Sequence, residues 1–450
     1  MTLAVVLIIL VIGSVVFHFL SPWTFTPLAS NWSQIDDTIN ITFWITGFVF
    51  VAVNLFLAYA VIKYRAKDGS KAVYEPENNK LESWLTIFTT VGVVAMLAPG
   101  LFVWATFVNV PDDAIDVEAI GQQWRWSYRL PGADGEFGNA HGRLITVDNP
   151  FGMDPDDPLG QDDVLVSNAE VHLPIDVPVR MNLRSKDVLH NFTVAQFRVK
   201  MDLVPGMETH MWFTPTVPGR YEVLCEELCG VAHYTMRGAV IVEEQADFDA
   251  WVATQPTYAD TQVVMAGNAA VGAAQYAVCA ACHGQQGEGQ LALNAPKIAG
   301  QSAWYLKKQL QNYKGGLRGA HEDDVFGRQM APMAATLVND VAIDNVIAHI
   351  QTLPDNPAPK TVEGDAAAGA KGYAVCAYCH GPDGQGYQHM NAPRVAGMTD
   401  WYIKSQLENF QKGIRGEHPK DFDGKQMGYM ADTLHNEKAV NDLVAYINSL

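Results

Sequence analysis

The run CEELCGVAHYTM sets Cys225 and Cys229 four residues apart, His233 four further on and Met236 three beyond that. Thiolates, an imidazole and a thioether on one short loop are soft and borderline donors, suited to a transition metal. Three chemistries fit these residues: a tetrahedral zinc site on Cys225, Cys229 and His233, a disulfide, or copper used for electron transfer. Copper needs a further imidazole, and the upstream run SKDVLHNFTV offers His190 where a β-strand begins. The other four cysteines lie in CAACH and CAYCH, as Cys279, Cys282 and His283 and as Cys376, Cys379 and His380. C-x-x-C-H is the signal for covalent haem attachment, with two thioethers to the porphyrin and the histidine under the iron. All six cysteines are thereby taken up in close pairs, and none is left for a structural bridge.

The two haem motifs belong to an internal duplication. YAVCAACHG returns as YAVCAYCHG, APKIAG as APRVAG, QLQNYKGGLRG as QLENFQKGIRG and RQMAPMAATL as KQMGYMADTL, each pair 97 residues apart. Two copies of one small helical domain therefore stand in tandem, joined by the Pro-containing linker LPDNPAPKTVEGD. A methionine opposite the histidine would raise the reduction potential by favouring ferrous iron. Each copy offers two, Met330 or Met333 and Met427 or Met430.

Ahead of the duplication, residues 116–245 alternate apolar and polar side chains between turns bearing Pro or Gly, the pattern of a sandwich of short strands. The stretch EQADFDAWVATQPTYADTQ that follows reads as loose and acidic. Further upstream stand three apolar blocks, each long enough to span a bilayer, at about 2–20, 40–63 and 84–108. The first has no basic flank of the signal-peptide kind and reads as a retained helix. The loop between the second and third carries Lys63, Arg65, Lys67, Lys71 and Lys80, whereas residues 21–39 carry no Lys or Arg. This bias orients the basic loop inward and everything after residue 110 outward.

The formal charge of −19 is uneven: residues 110–245 hold 10 basic and 22 acidic side chains, and residues 246–450 hold 15 and 21. Such a balance excludes nucleic acid as a partner and favours basic ones. It also predicts that mutual attraction does not dock the acidic haem region on the acidic sandwich, so tethering must supply proximity. The loop DNPFGMDPDDPLGQDD, with Asp148, Asp154, Asp156, Asp157, Asp162 and Asp163, lacks calcium-loop spacing and reads as solvated.

DVLHNF followed by CEELCGVAHYTM, in a β domain behind membrane helices, resembles subunit II of haem-copper cytochrome c oxidases. The duplicated half, about 266–450, resembles two-haem periplasmic cytochromes of the class I type. The combination resembles a caa-type subunit II fused to two cytochrome c domains. The resemblance implies a multidomain chain: a membrane anchor over 1–115, a cupredoxin-like sandwich over 116–245 holding binuclear CuA, and all-α cytochrome c domains over 262–355 and 363–450. It implies Cys225 and Cys229 as bridging thiolates, His190 and His233 each completing one copper, Met236 as weak thioether and Glu227 as a carbonyl ligand. It places magnesium at the Glu227 carboxylate, shared with subunit I, and makes Met330 and Met427 the haem ligands. GQQWRWSY resembles the family's aromatic motif, with Trp124 as the point of electron entry. Gln122 and Arg125 depart from it, standing where His and Tyr are usual. In NNKLESWLTI, Glu82 matches a carboxylate at the mouth of a proton pathway; the bland reading is a helix-terminal glutamate.

The implied function is electron entry into a respiratory oxidase of the bacterial inner membrane, working with subunit I and subunit III. Electrons from a periplasmic cytochrome c or respiratory complex pass through the haems and CuA to haem a, for oxygen reduction coupled to proton translocation. Two other readings follow the same motifs: the CuA subunit of a nitric oxide reductase, and a membrane-anchored carrier with no catalytic partner.

Overall fold

The computed structural model describes residues 2–21, 25–69, 71, 74, 76–146, 149–262 and 267–450. Helices α1 (Thr2–Leu20), α2 (Ser33–Lys63) and α3 (Asn79–Val108) are each long and apolar enough to cross a membrane. Their surfaces expose Phe43, Trp44, Phe56, Phe88 and Phe102, the dressing that lipid and not water solvates. Helices α2 and α3 start earlier than the apolar blocks because polar first turns precede each block. Asn78 caps α3 by accepting a hydrogen bond from the Leu81 amide at 3.0 Å.

The β region begins directly after α3 and is fastened to the helices by tryptophans. Trp32, 1% exposed, donates its indole N–H to the Trp212 carbonyl at 3.0 Å, and Trp212 donates to the Thr106 carbonyl of α3 at 3.2 Å. Ten strands follow among the described residues: β1 (Ile115–Gln122), β2 (Arg125–Leu130), β3 (Val164–Val166), β4 (Glu170–Pro174), β5 (Val179–Ser185), β6 (His190–Val194), β7 (Val199–Leu203), β8 (Glu208–Phe213), β9 (Gly219–Cys225) and β10 (Arg237–Glu243). They form two five-stranded sheets, ordered β3-β2-β1-β5-β8 and β4-β10-β9-β6-β7. Alternation does what it should. In β5, Val179, Met181 and Leu183 are buried while Arg180, Asn182 and Arg184 point away. Trp126, Tyr128, Phe192, Phe197 and Phe213 fill the space between the sheets, all fully buried, and burial of each phenylalanine contributes about 1.5–3 kcal/mol.

The acidic loop is not simply solvated. Asp163 is fully buried and pairs with Arg129 at 2.9 Å, while Arg129 also binds Glu118 at 2.8 Å. Asp157 caps the next turn by accepting from the Leu159 amide at 3.1 Å. A buried guanidinium must have carboxylate partners, and the loop supplies one. Asp148 lies outside the described residues.

The stretch expected to be loose forms two short helices, α4 (Gln245–Val252) and α5 (Tyr258–Gln262). Trp251 of α4 stacks on His172 at 4.4 Å between centroids, which ties this segment to the sandwich. The duplicated half then gives α6 (Ala269–His283), α7 (Ala303–Lys314), α8 (Val325–Ala335) and α9 (Asp340–Ile350), and again α10 (Ala366–His380), α11 (Asp400–Gln411), α12 (Phe422–Ala431) and α13 (Glu437–Ile447). The first and last helices of each set cross closely over a glycine. A Cβ at Gly272 would sit 1.9 Å from the Asn345 carbonyl oxygen, and one at Gly369 1.9 Å from that of Asp442. The two helical sets face each other through Gln301 to the Arg394 carbonyl at 3.0 Å, Arg394 to the Gly300 carbonyl at 2.8 Å, and Arg415 to the Tyr305 hydroxyl at 3.1 Å.

Candidate metal centre and haem-binding sites

Strand ends bring the soft ligands together. His190 opens β6 and Cys225 closes β9, and the two strands pair so that Phe192 lies beside Cys225. The loop that leaves Cys225 turns back through Cys229 into a short helical turn, His233–Thr235, and reaches Met236 just before β10. The Cys225 and Cys229 sulfurs lie 3.7 Å apart and are free thiols, so no disulfide joins them. The Nδ1 of His190 is 4.0 Å from the Cys225 sulfur and that of His233 is 3.3 Å from the Cys229 sulfur. Met236 brings its sulfur within 3.9 Å of Cys229, and the Glu227 carbonyl stands 3.2 Å from Cys225. Every residue that the sequence pattern singled out for this centre is therefore within one small volume.

Its surroundings suit a metal. His190, Cys225, Cys229 and Met236 are all buried. The hydrogen bond between the two sulfurs holds the Cys225 thiol below its ordinary pKa, and that same bond, with burial, pushes Cys229 up. A bound cation would free the Cys229 proton, as metal binding does. Burial lowers the His190 pKa, but bonds to Asp187 and Cys225 outweigh it and hold it above its ordinary value. Asp187 accepts from His190 Nε2 at 2.8 Å, which fixes the ring with Nδ1 toward the sulfurs. Nothing in the sequence pattern singled out Asp187, three residues ahead of its histidine.

Each haem motif ends a helix. Cys279, Cys282 and His283 occupy the last turn of α6, and Cys376, Cys379 and His380 that of α10. His283 Nδ1 donates to the Pro296 carbonyl at 2.7 Å and His380 Nδ1 to that of Pro393 at 2.8 Å. That bond leaves Nε2 as the free lone pair, and burial keeps both imidazoles below their ordinary pKa. The recurring Ala-Pro of APKIAG and APRVAG was the signal for these orienting carbonyls. A cavity of about 420 Å³ runs through both motifs, reaching Met330, Met333, Met427 and Met430. Of the second pair, Met427 packs in its own helical core whereas Met430 turns to the sandwich.

Trp124 is 2% exposed and lies between the two chemistries. Its indole N–H donates to the Cys229 carbonyl at 3.0 Å. Its ring meets Tyr378, the residue inside the second CAYCH motif, edge-on at 5.3 Å. The expectation that charge does not help this docking fails locally. Arg125 stands 3.9 Å from Asp423 of α12, which Lys308 of the first helical set holds at 2.5 Å. Gln122 donates to the Met390 sulfur at 2.9 Å. Gln122 and Arg125, which depart from the family pattern, both touch the second haem domain, as Trp124 does. Glu82, in contrast, is exposed in the first turn of α3, its carboxylate 3.5 Å from the Asn78 amide.

Residues 115–244 match the family model for the periplasmic domain of cytochrome c oxidase subunit II, and residues 269–354 and 366–450 each match that for cytochrome c. The alternative cytochrome c oxidase subunit 2 of Bradyrhizobium diazoefficiens is 58% identical over 259 residues, 58% of this chain and 94% of that one. The chain belongs to the cytochrome c oxidase subunit 2 family. It is part of a haem-copper oxidase, and its families imply copper at the thiolate centre and haem c at the two C-x-x-C-H motifs. Among solved structures, the periplasmic domain of subunit II of cytochrome oxidase from Bradyrhizobium japonicum is 31% identical, covering 32% of this chain and 96% of that one with a TM-score of 0.25. Reduced cytochrome c4 from Pseudomonas stutzeri is 29% identical, covering 41% and 100%, with a TM-score of 0.34. Subunit 2 homology places the chain beside subunit I in an inner-membrane complex.

Proposed function

We propose that this subunit is the electron entry of the oxidase and that its carriers work in a fixed order: first haem domain, second haem domain, copper centre, subunit I. The observation that carries the order is the contact Tyr378–Trp124–Cys229, which joins the second haem motif to the copper loop and has no counterpart in the first among the described residues. When bound, copper and the haems would supply one-electron storage. The chain's residues do the rest. His190, Cys225, Glu227, Cys229, His233 and Met236 hold the copper in a stiff frame of strand ends. Cys279, Cys282, His283 and Met330, and Cys376, Cys379, His380 and Met427, hold the haems. Because Met430 packs toward the sandwich and Met427 in its own helical core, Met427 would be the methionine that holds the second haem, and Met330 the first by the repeat.

Oxygen is reduced to water in subunit I, coupled to proton translocation, with subunit III alongside and a periplasmic cytochrome c or respiratory complex as donor. The haem and copper domains, over 116–245, 262–355 and 363–450, face the periplasm, and 1–115 anchors them. Glu227, half-buried in the loop between Cys225 and Cys229, is the residue whose carboxylate would face magnesium at subunit I if that ion is present. Glu82 feeds the proton pathway on the opposite side of the membrane.

The purified complex tests this reading by metal and haem analysis and by gas consumption. Two coppers in this chain, two covalent haems and consumption of oxygen in preference to nitric oxide are expected. Fewer than two coppers, or a preference for nitric oxide, would overturn it.

A further inference from the structure

The duplication permits a comparison of one face in two settings. In the second haem domain this face is seated on the sandwich. Tyr378 meets Trp124, Phe422 lies under the Arg220 guanidinium at 5.1 Å, and Tyr429 offers its carbonyl to the Tyr234 hydroxyl at 3.0 Å. Gln388 and His389 continue the same rim, and Arg125 reaches the His389 carbonyl at 3.4 Å. The 97-residue offset puts Ala281, Val325, Pro332, Leu291 and Ala292 at the equivalent positions of the first domain. All of them are exposed, Leu291 and Val325 each at 55%. The tyrosine, histidine and glutamine of the docked copy are thus replaced by small or aliphatic side chains. Cys282 shows the same difference: it is exposed, whereas its counterpart Cys379 is half-buried against the sandwich.

An aliphatic collar around a haem attachment site, uncovered among the described residues, is a surface built for a transient partner. At its edge Glu322 and Asp323 are exposed, Asp323 at 70%, where the docked copy has Pro419 and Lys420. The carboxylates of this rim favour a basic rim on whatever docks there.

We infer that the face formed by Ala281, Leu291, Ala292, Val325 and Pro332 is the docking surface for the electron donor. The donor is a small one-electron redox protein whose cofactor edge is framed by apolar side chains with basic residues outside them. One electron leaves the donor's ferrous haem, which becomes ferric, and reduces the ferric haem held by Cys279, Cys282 and His283; no proton is exchanged. The inference rests on the carrier order proposed above, because it assigns the free face to the domain farther from copper.

The test uses the complete oxidase complex, mixed rapidly with a ferrous class I cytochrome c as probe. Leu291→Glu and Val325→Glu place a charge in the collar without touching the haem cavity. Each is expected to lower the second-order rate about tenfold, the effect of one charge buried in a contact. Turnover driven by ascorbate and a small mediator stays unchanged. Val341→Glu is the control, since Val341 is exposed at 52% and its counterpart Lys438 pairs with Asp442 of its own helix. Rates within twofold of the unsubstituted complex in both collar variants would overturn the inference. So would an unsubstituted complex that the probe fails to reduce. Failure of the carrier order would appear separately, as haem that is reduced by the probe at normal rate but does not pass its electron to copper.

Discussion

The two haem domains share a helical plan and a haem motif, yet one is built into the copper domain and the other is not. The difference lies in side chains at matching positions: Tyr378 against Ala281, Asp423 against Phe326, Phe422 against Val325. Duplication supplied two equivalent carriers, and substitution on one face gave them different neighbours. In the carrier order proposed above, position along the chain of carriers would therefore be a property of surfaces.

The strongest way to break that comparison is to remove one haem at a time. Cys376→Ala with Cys379→Ala leaves only the first-domain haem, and its electron should reach copper about a hundredfold more slowly, a barrier increase of about 2.7 kcal/mol. Cys279→Ala with Cys282→Ala leaves the second-domain haem, whose transfer to copper should be unchanged. Time-resolved absorbance after photoreduction separates the two, and equal slowing in both variants would sink the order.

A smaller effect belongs to the aromatic contact itself. Tyr378→Ala gives the second domain the residue of the first, and Trp124→Leu removes the ring that touches both Tyr378 and the copper loop. Each should slow haem-to-copper transfer about tenfold, close to 1.4 kcal/mol, with copper and haem content intact. Loss of copper from Trp124→Leu would show instead that the indole serves the copper loop as structure, through its bond to the Cys229 carbonyl.

The candidate ligands could be named from the amino-acid sequence. Those proposed for copper sit in one short run plus one histidine, and the cysteines and histidines proposed for haem are adjacent along the chain, but spacing left zinc and a disulfide open and the family resemblance supplied the roles. Contacts between distant segments were not legible. Gln122 and Arg125 looked like blemishes in an aromatic motif, and make sense only beside Met390 and Asp423. Asp163 looked like one more charge in an acidic loop, because its partner Arg129 lies on a separate strand. The methionine pairs could not be separated by the repeat, which kept both. Net charge misled for the same reason: totals of −12 and −6 say nothing of one arginine facing one aspartate.

That pair gives a further prediction of lesser size. Asp423 is held as a carboxylate between Arg125 and Lys308, which offset the burial that would otherwise raise its pKa. Asp423→Asn removes the charge and should weaken docking by about 1 kcal/mol, as expected for a partly buried pair, slowing haem-to-copper transfer about fivefold. Raising the salt concentration should reproduce only part of this in the unsubstituted complex, because a covered pair is screened weakly. A variant indistinguishable from the parent at low salt would mean that the tether alone holds the second domain in place.

The smallest expected effect concerns Lys186, whose ammonium donates to the Gln122 side-chain oxygen Oε1 at 3.4 Å beside the same contact. Burial, then the neighbouring Arg125 and Arg184, pull its pKa from 10.5 down to about 7. An unfolded chain would keep that lysine protonated up to its ordinary pKa, while the folded chain releases the proton near 7. Between these values the unfolded state binds more protons, so folded-state stability increases as pH rises through the window and is lost as pH falls toward 7. The apparent melting temperature of the complex should therefore climb from pH 7 to pH 9, and Lys186→Met should flatten the climb. An unchanged slope in that variant would place the proton elsewhere. The collar of the first haem domain carries no lysine, so the pH effect should appear in haem-to-copper transfer and be absent from the rate of reduction by the donor.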